Sequence, residues 1–304
     1  MASRQVVRDF SPADVARIRA LTDAVEAATG IVPLGDDAWT GMHALAGRDR
    51  GIFDASGDAY AHLARHHADE WSVELAARPD SDIDLDALLA DALEVVADEG
   101  GGHVTYWVHG ADSDPKADDR ARGAGFALER ELFQMRVPLP LSNPPRWPDG
   151  TIVRTFRPGE DEADWVEVNN RAFAGHPEQG AWTVDMLRAR EQEDWFDPEG
   201  FVMAFDGDGL AGSCWTKVHP PNPPREPDAL GEIYVIGADP GRQGRGLGRA
   251  LTTAGLESLA ARDITVGMLF VDAGNEAAVG LYLALGFVVH RTDRAYGRDV
   301  TAAP

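Results

Sequence analysis

The first chemistry the chain offers lies in backbone N–H groups. Gly244, Gly246 and Gly248 fall within Gln243-Gly-Arg-Gly-Leu-Gly248, after an apolar run, Ile233-Tyr-Val-Ile236, that breaks at Asp239-Pro240-Gly241. A run with helical spacing follows: Leu247, Leu251, Ala254, Leu259. The reading is strand, glycine-rich turn, helix N-terminus. Such a turn aims N–H groups and the positive helix end at one spot, which suits a pyrophosphate. It is not a P-loop, which needs Gly-Lys-Ser/Thr, and the third glycine is misplaced for a dinucleotide fingerprint. A solvated turn before a helix is the plainer alternative. A second segment weighs against it. Met268-Leu-Phe-Val271 reads as a buried strand and Asp272-Ala-Gly-Asn275 as a turn. Glu276 to Leu285 reads as a short helix ending at Gly286.

Positioning these segments takes a domain-sized fold, and the 304 residues allow one large or two ordinary domains. Hydrophobic content of 44% and charged content of 26% are ordinary for a globular chain. No apolar run reaches the ~20 residues of a membrane span. The first residues lack a signal-peptide core, so a cytoplasmic location is expected. The single cysteine, Cys214, excludes an intramolecular disulfide and a cysteine zinc cluster. In its apolar strand it reads as a buried, inert thiol. His62, His66 and His67 have helix-compatible spacing but no visible metal-ligand partners, and no metal is expected. The net charge of −23 weighs against nucleic acid and anionic membrane surfaces as partners.

The chain carries an internal duplication. Pro138 to Gly150 holds five prolines and a glycine and reads as an extended linker. Val6-Val-Arg-Asp-Phe-Ser-Pro12 parallels Ile152-Val-Arg-Thr-Phe-Arg-Pro158, each opening a helical stretch, Asp14 to Ala28 and Glu160 to Phe173. Gly123-Ala-Gly-Phe-Ala-Leu-Glu-Arg130 parallels Ala284-Leu-Gly-Phe-Val-Val-His-Arg291. The expected domains are 1–138 and 151–304, joined by 139–150. Each is α/β of the α+β type, a mixed, mostly antiparallel sheet flanked by helices. Laying Val73 on Val235 without gaps puts Asp84 on Gly246 and Asp86 on Gly248, with Asp80 on Arg242 and Asp82 on Gly244. Carboxylates then stand where a pyrophosphate would lie, and the N-terminal copy is expected not to hold such a ligand usefully.

Gln243-x-x-Gly-x-Gly248 resembles the pyrophosphate turn of the GNAT acyltransferases, and Asn275…Ala278…Tyr282…Gly286-Phe287 resembles the last segment of that fold. With Asn169 to Thr183, Leu230-Gly-Glu-Ile-Tyr-Val235 and Arg291-Thr-Asp-Arg-Ala-Tyr296, nearly the whole chain resembles the mycothiol synthase family, an actinobacterial tandem GNAT arrangement. The resemblance implies tandem GNAT domains with the chemistry in the C-terminal one. It implies acetyl transfer from acetyl-CoA to the cysteinyl amine of Cys-GlcN-inositol by a monomer.

An amine attacks a thioester only when neutral, so a base is needed, and the resemblance implies Glu232. It implies Tyr282 as the acid for the leaving thiolate, with Tyr296 as the competitor. The carbonyl oxygen would meet a backbone N–H within Ile236-Gly237-Ala238, Ile236 ahead of the other two. The coenzyme would lie on Gln243, Gly244, Arg245, Gly246, Leu247, Gly248 and Arg249, with Arg242 adding charge. Asn275, Glu276, Ala277, Ala278, Val279 and Gly280 would flank its pantetheine arm. The acceptor would meet Asp36, Glu178, Lys217, Glu232 and position 270, where Phe270 replaces the family's usual Tyr and removes one hydroxyl contact. Two alternatives stay open: a GNAT enzyme for another small amine or peptide N-terminus, and a non-catalytic acetyl-CoA sensor.

Overall fold

The computed structural model describes residues 5–35, 38–39, 41–42, 48–110, 114, 116–174, 182–221, 226 and 228–304. The chain forms two compact units. The first holds Met1–Phe133 with Asp272–Asn275 and Arg291–Pro304, and the second Gln134–Val271 with Glu276–His290.

The first unit builds its sheet from β1 (Gln5–Val7), β2 (Arg50–Phe53), β3 (Ala59–His67), β4 (Glu70–Ala77) and β5 (Gly101–Val108). Neighbours are antiparallel from β1 to β4, and β4 runs parallel to β5. Helix α1 (Pro12–Thr29) starts at a capping box between Ser11 and Asp14. It packs Ile18, Leu21 and Val25 with Phe53 and Tyr60. Helix α2 (Leu85–Asp98) places Leu88, Leu89 and Val96 with Trp71, Val73 and Tyr106 in a second apolar cluster. Helix α3 (Ala117–Gly123) leads into β6 (Ala127–Pro138), whose residues divide between the units at Phe133.

The second unit orders β7 (Ile152–Thr155), β8 (Phe201–Asp206), β9 (Gly209–His219), β10 (Leu230–Ala238) and β11 (Val266–Asp272). Pairing is antiparallel from β7 to β10, and β10 and β11 are parallel. Helices α4 (Glu162–Ala172) and α5 (Val184–Arg190) supply Trp165 and Leu187 to an aromatic core with Phe156, Phe201 and Trp215. Phe201 and Trp215 stack at 4.7 Å, and Trp165 Nε1 donates to Ser213 Oγ at 2.9 Å. Helix α6 (Leu247–Ala260) buries Leu247, Leu251, Leu256 and Leu259, and α7 (Glu276–Leu283) follows β11.

The units are copies in detail. In each, an antiparallel strand pair is followed by a helix and a strand parallel to the second of the pair. The gapless overlay places the N-cap residue Asp84 on the N-cap residue Gly246, and α2 and α6 are both 14 residues long. The turns before Arg130 and Arg291 also match. Phe126 N–H donates to Ala121 O at 2.9 Å, and Phe287 N–H to Tyr282 O at 3.1 Å. The last strand, β12 (Val288–Thr301), pairs through Arg294–Thr301 with β5 of the first unit.

Candidate active site

The glycine-rich turn follows β10. Asp239 accepts the Gly241 N–H at 2.9 Å and is held by Arg171 at 2.7 Å, and a 3₁₀ turn spans Pro240–Arg242. Gly244 and Gly246 have φ of 79° and 83°, the left-handed region where only glycine is unstrained. A Cβ at either would meet nothing within 4 Å, so the space above the turn is open. Gly246 caps α6 without a side-chain hydrogen bond, so the first N–H groups of the helix lack an internal acceptor. In the first unit, the Asp84 carboxylate accepts the Ala87 N–H at 3.0 Å and fills the equivalent place. Arg245 and Arg249 are exposed. Arg242 is instead committed to the protein, with Nε on Asp206 at 2.8 Å and Nη1 3.4 Å from Asp239. Gln243 Nε2 donates to Ala238 O at 3.5 Å.

Between the sheet and this turn the strands part. β10 pairs with β11 only from Leu230 to Ile233, although β10 continues to Ala238 and β11 to Asp272. The β9–β10 register slips between Ile233 and Val235, so Tyr234 is the extra residue of a bulge. A bulge increases local twist and bends its strand. Ile236, Gly237 and Ala238 therefore keep their ladder to Cys214, Ser213 and Gly212 on one side and have no β11 partner on the other.

Glu232 sits just before the parting. It pairs in register with Lys217 on β9 and Met268 on β11, and directly paired residues project to one face. Phe270, two residues beyond Met268, shares that face and is half-exposed. Glu232 is 8% exposed. His219 Nε2 donates to its Oε2 at 2.7 Å, and Oε1 has no protein partner among the described residues. Lys217 Nζ lies 5.0 Å from the ring centre of Trp195 and 5.6 Å from that of Tyr234.

Tyr282, on α7, is buried and packs on Phe287 at 5.6 Å. Burial, with the neighbouring Cys214, raises its hydroxyl well above the ordinary range, so it stays a proton donor. Gly255 lies against Cys214 Sγ, so Cys214 faces α6. Lys217 and His219 lie at odd offsets from Cys214 along β9 and project to the opposite face. Cys214 and Glu232 therefore lie on opposite faces of the β9–β10 pair. The Cys214 thiol is pushed up to about 12 by burial and is inert as a nucleophile.

The other expected residues are placed as follows. Asn275 N–H donates to Asp272 O at 3.0 Å and closes the turn after β11. Glu276, Ala277, Ala278, Val279 and Gly280 form the start of α7, exposed or half-buried. Tyr296 is buried in the first unit, where its hydroxyl donates to Asp118. Asp36 and Glu178 lie outside the described residues. His62 is buried between Tyr60 and Asp49 at 2.9 and 3.2 Å, and His66 meets Ser72 at 2.9 Å. No group of three His, Cys, Asp or Glu suited to a metal ion occurs among the described residues. His219, Trp195 and Tyr234 are site neighbours that sequence reasoning passed over. The signal for His219 was available, since it stands two residues after Lys217 on one strand face.

Residues 164–287 match the model of the acetyltransferase (GNAT) family. A mycothiol acetyltransferase of Geodermatophilus obscurus is 42% identical over 98% of this chain and 99% of its own. One of Thermobispora bispora is 40% identical over 98% and 100%. Among solved structures, a tandem GNAT protein from the clavulanic acid biosynthesis pathway superposes with a TM-score of 0.75 at 17% identity, covering 99% of this chain and 100% of that one. A GCN5-related N-acetyltransferase from Sphaerobacter thermophilus gives 0.73 at 23% identity, covering 99% and 97%. These two structures speak to the fold, which is that of tandem GNAT domains.

Proposed function

The chain belongs to the mycothiol acetyltransferase family of GNAT enzymes and is an acetyltransferase, and from that premise we propose that it carries acetyl from acetyl-CoA to the cysteinyl amine of Cys-GlcN-inositol by direct attack. The carrying observation is Glu232, a buried carboxylate with one oxygen held by His219 and the other open, at the point where β10 and β11 part. The acceptor's ammonium gives a proton to Glu232. The freed nitrogen lone pair forms the C–N bond, the C–S bond breaks as the thiolate takes its proton from Tyr282, and the second proton left on nitrogen passes to solvent, from which Tyr282 is reprotonated. The N–H of Ile236 would meet the carbonyl oxygen as charge develops. The pantetheine arm would follow the open edge of β10, flanked by Asn275 and the start of α7. The pyrophosphate would rest on backbone groups from Gln243 to Arg249, with Arg245 and Arg249 as the cations free to approach it. Lys217 and Phe270 would line the acceptor side. A monomer in the cytoplasm completes the reading.

Release of free CoA tests it. With Cys-GlcN-inositol offered beside other amines, kcat/KM should reach at least ~10⁴ M⁻¹s⁻¹, the low end of ordinary enzymes, and exceed the panel by orders of magnitude. Phe270 favours one second reading, transfer to a different small amine, because it supplies no hydroxyl to a polyol. A better substrate elsewhere in the panel would select that reading.

The difference between the two copies gives a second test. Gly246→Asp places a carboxylate at the start of α6, at a left-handed position that Asp adopts less readily than glycine. A carboxylate at the helix N-terminus then opposes the pyrophosphate. The KM for acetyl-CoA should rise roughly 100-fold, in keeping with like-charge costs of several kcal/mol. The melting temperature should fall slightly, from the strain of a side chain at positive φ, while the acceptor KM stays close to wild type. An unchanged acetyl-CoA KM would remove the pyrophosphate from this turn.

A further inference from the structure

We propose that His219 is a positioning residue for the base. It holds Glu232 so that a single carboxylate oxygen faces the incoming amine. The inference rests on the reading of Glu232 as that base.

The geometry is local to one strand pair. His219 ends β9 and pairs with Leu230, while Lys217 pairs with Glu232. His219 is thus the diagonal neighbour of Glu232 on the same face of the ladder, within reach of an imidazole. Its Nε2 lies 2.7 Å from Glu232 Oε2. An ionised carboxylate only accepts, so Nε2 carries the hydrogen and the tautomer is fixed by the partner. The two side chains differ in exposure, 31% for His219 and 11% for Glu232, so the imidazole stands on the solvent side of the carboxylate.

This arrangement answers two problems. A Glu side chain has three rotatable bonds, and a buried, unanchored carboxylate samples rotamers that turn both oxygens from the substrate. A hydrogen bond to Oε2 selects one rotamer and leaves Oε1 to accept the proton. A buried carboxylate also needs a compensating hydrogen-bond donor, and the imidazole N–H supplies it at Oε2. His219 carries no proton in the reaction. The proton passes from the acceptor nitrogen to Oε1, and the Nε2–H remains on His219 throughout. At the matching register of the first unit no such pair occurs among the described residues. Glu70 falls on Glu232 in the overlay, and its side chain is 58% exposed with the nearest imidazole nitrogen, on His67, at 3.8 Å. An anchored, buried carboxylate at this register is therefore peculiar to the catalytic copy.

The test is a double-mutant cycle on the full-length enzyme, with acetyl-CoA and the best amine of the panel. His219→Ala should lower kcat about 10- to 100-fold, the range for losing a hydrogen bond to a charged group. The KM for acetyl-CoA should stay within about twofold. His219→Gln, which restores an N–H donor, should recover most of the loss. In a Glu232→Gln background, His219→Ala should cost nothing further, because the group it orients no longer acts. Full additivity of the two substitutions would overturn the proposal, and so would a His219→Gln variant as slow as His219→Ala. A loss confined to KM would overturn it too. If Glu232→Gln alone were silent, the base assignment itself would fall. The two failures are therefore distinct. Thermal melts of all variants separate any fold defect from these outcomes, and a His219→Ala loss that tracked instability, with His219→Gln melting and turning over as wild type, would still count for positioning.

Discussion

Glu232→Gln is expected to lower kcat by about 10²- to 10⁴-fold, the usual contribution of a positioned general base, with the acetyl-CoA KM nearly unchanged. The amide has the size of the carboxylate and can still accept from His219 Nε2. What it loses is a basic oxygen, and an acceptor amine, mostly protonated near neutral pH, then has no group to take its proton. Raising the pH should restore part of the rate, since solution supplies the free amine that the variant cannot. Steady-state kinetics from pH 6.5 to 9.5 would read both effects. A sensor that only binds acetyl-CoA would lose nothing that depends on Glu232, so a silent substitution would shift the reading from enzyme to binding module.

The parts of this site legible in the sequence are those written in local pattern. The glycines at 244, 246 and 248 announce a turn before a helix because left-handed backbone and close approach leave few other residues suitable. The strand–turn–helix order is observed as β10, the 3₁₀ turn and α6. The duplication was legible for the same reason, and the gapless overlay set Asp84 on Gly246, the two N-cap residues. The hidden parts depend on strand partners distant in sequence. The hydrogen bond from His219 to Glu232 needs the β9–β10 register, and the parting of β10 from β11 needs a bulge at Tyr234 that no composition rule marks. Nothing local in Val288–Thr301 shows that it pairs with β5. Arg242 was expected to face a phosphate because it lies in the turn. Its bond to Asp206 depends on the β8–β9 hairpin 36 residues upstream, and Asp239, three residues away, adds a second contact.

The largest expected effect on stability lies in the first unit and concerns an imidazole that the catalytic proposal does not use. Glu74 falls on Ile236 in the overlay, so a carboxylate stands where the second unit offers its open backbone edge. It is buried, accepts the Gly35 N–H at 2.9 Å, and accepts from His109 Nε2 at 2.6 Å. The other ring nitrogen, Nδ1, meets Asp293 at 3.3 Å, and Asp293 also accepts the Gly110 N–H at 2.8 Å and pairs with Arg291 at 2.9 Å. Two carboxylates on the two ring nitrogens both accept, so the ring must donate twice and be an imidazolium. Burial alone would push His109 down, but the bonds to Asp293 and Glu74 overcome it and raise the group to about 9. Burial likewise raises the carboxyls of Glu74 and Asp293, and His109 more than offsets it, holding both below their ordinary values.

The sign of the linkage follows from these directions. A raised imidazole stabilises fully below its unfolded value of about 6.5 and loses that contribution as pH climbs through about 9. The lowered carboxylates contribute above their unfolded values and lose their share as pH falls through the folded ones. The network is therefore strongest between roughly pH 5 and 6.5 and weakens on the alkaline side first. His109→Ala leaves two buried carboxylates without their shared cation, at an expected cost of about 3–5 kcal/mol, or roughly 10 °C in the melting of this unit. Melting curves of wild type and His109→Ala at pH 6 and pH 9.5 would check it. The gap should be wide at pH 6 and narrow sharply at pH 9.5, where the wild-type ring is mostly neutral. A gap of equal width at both pH values would mean that His109 contributes packing alone and that the two carboxylates find their compensation elsewhere.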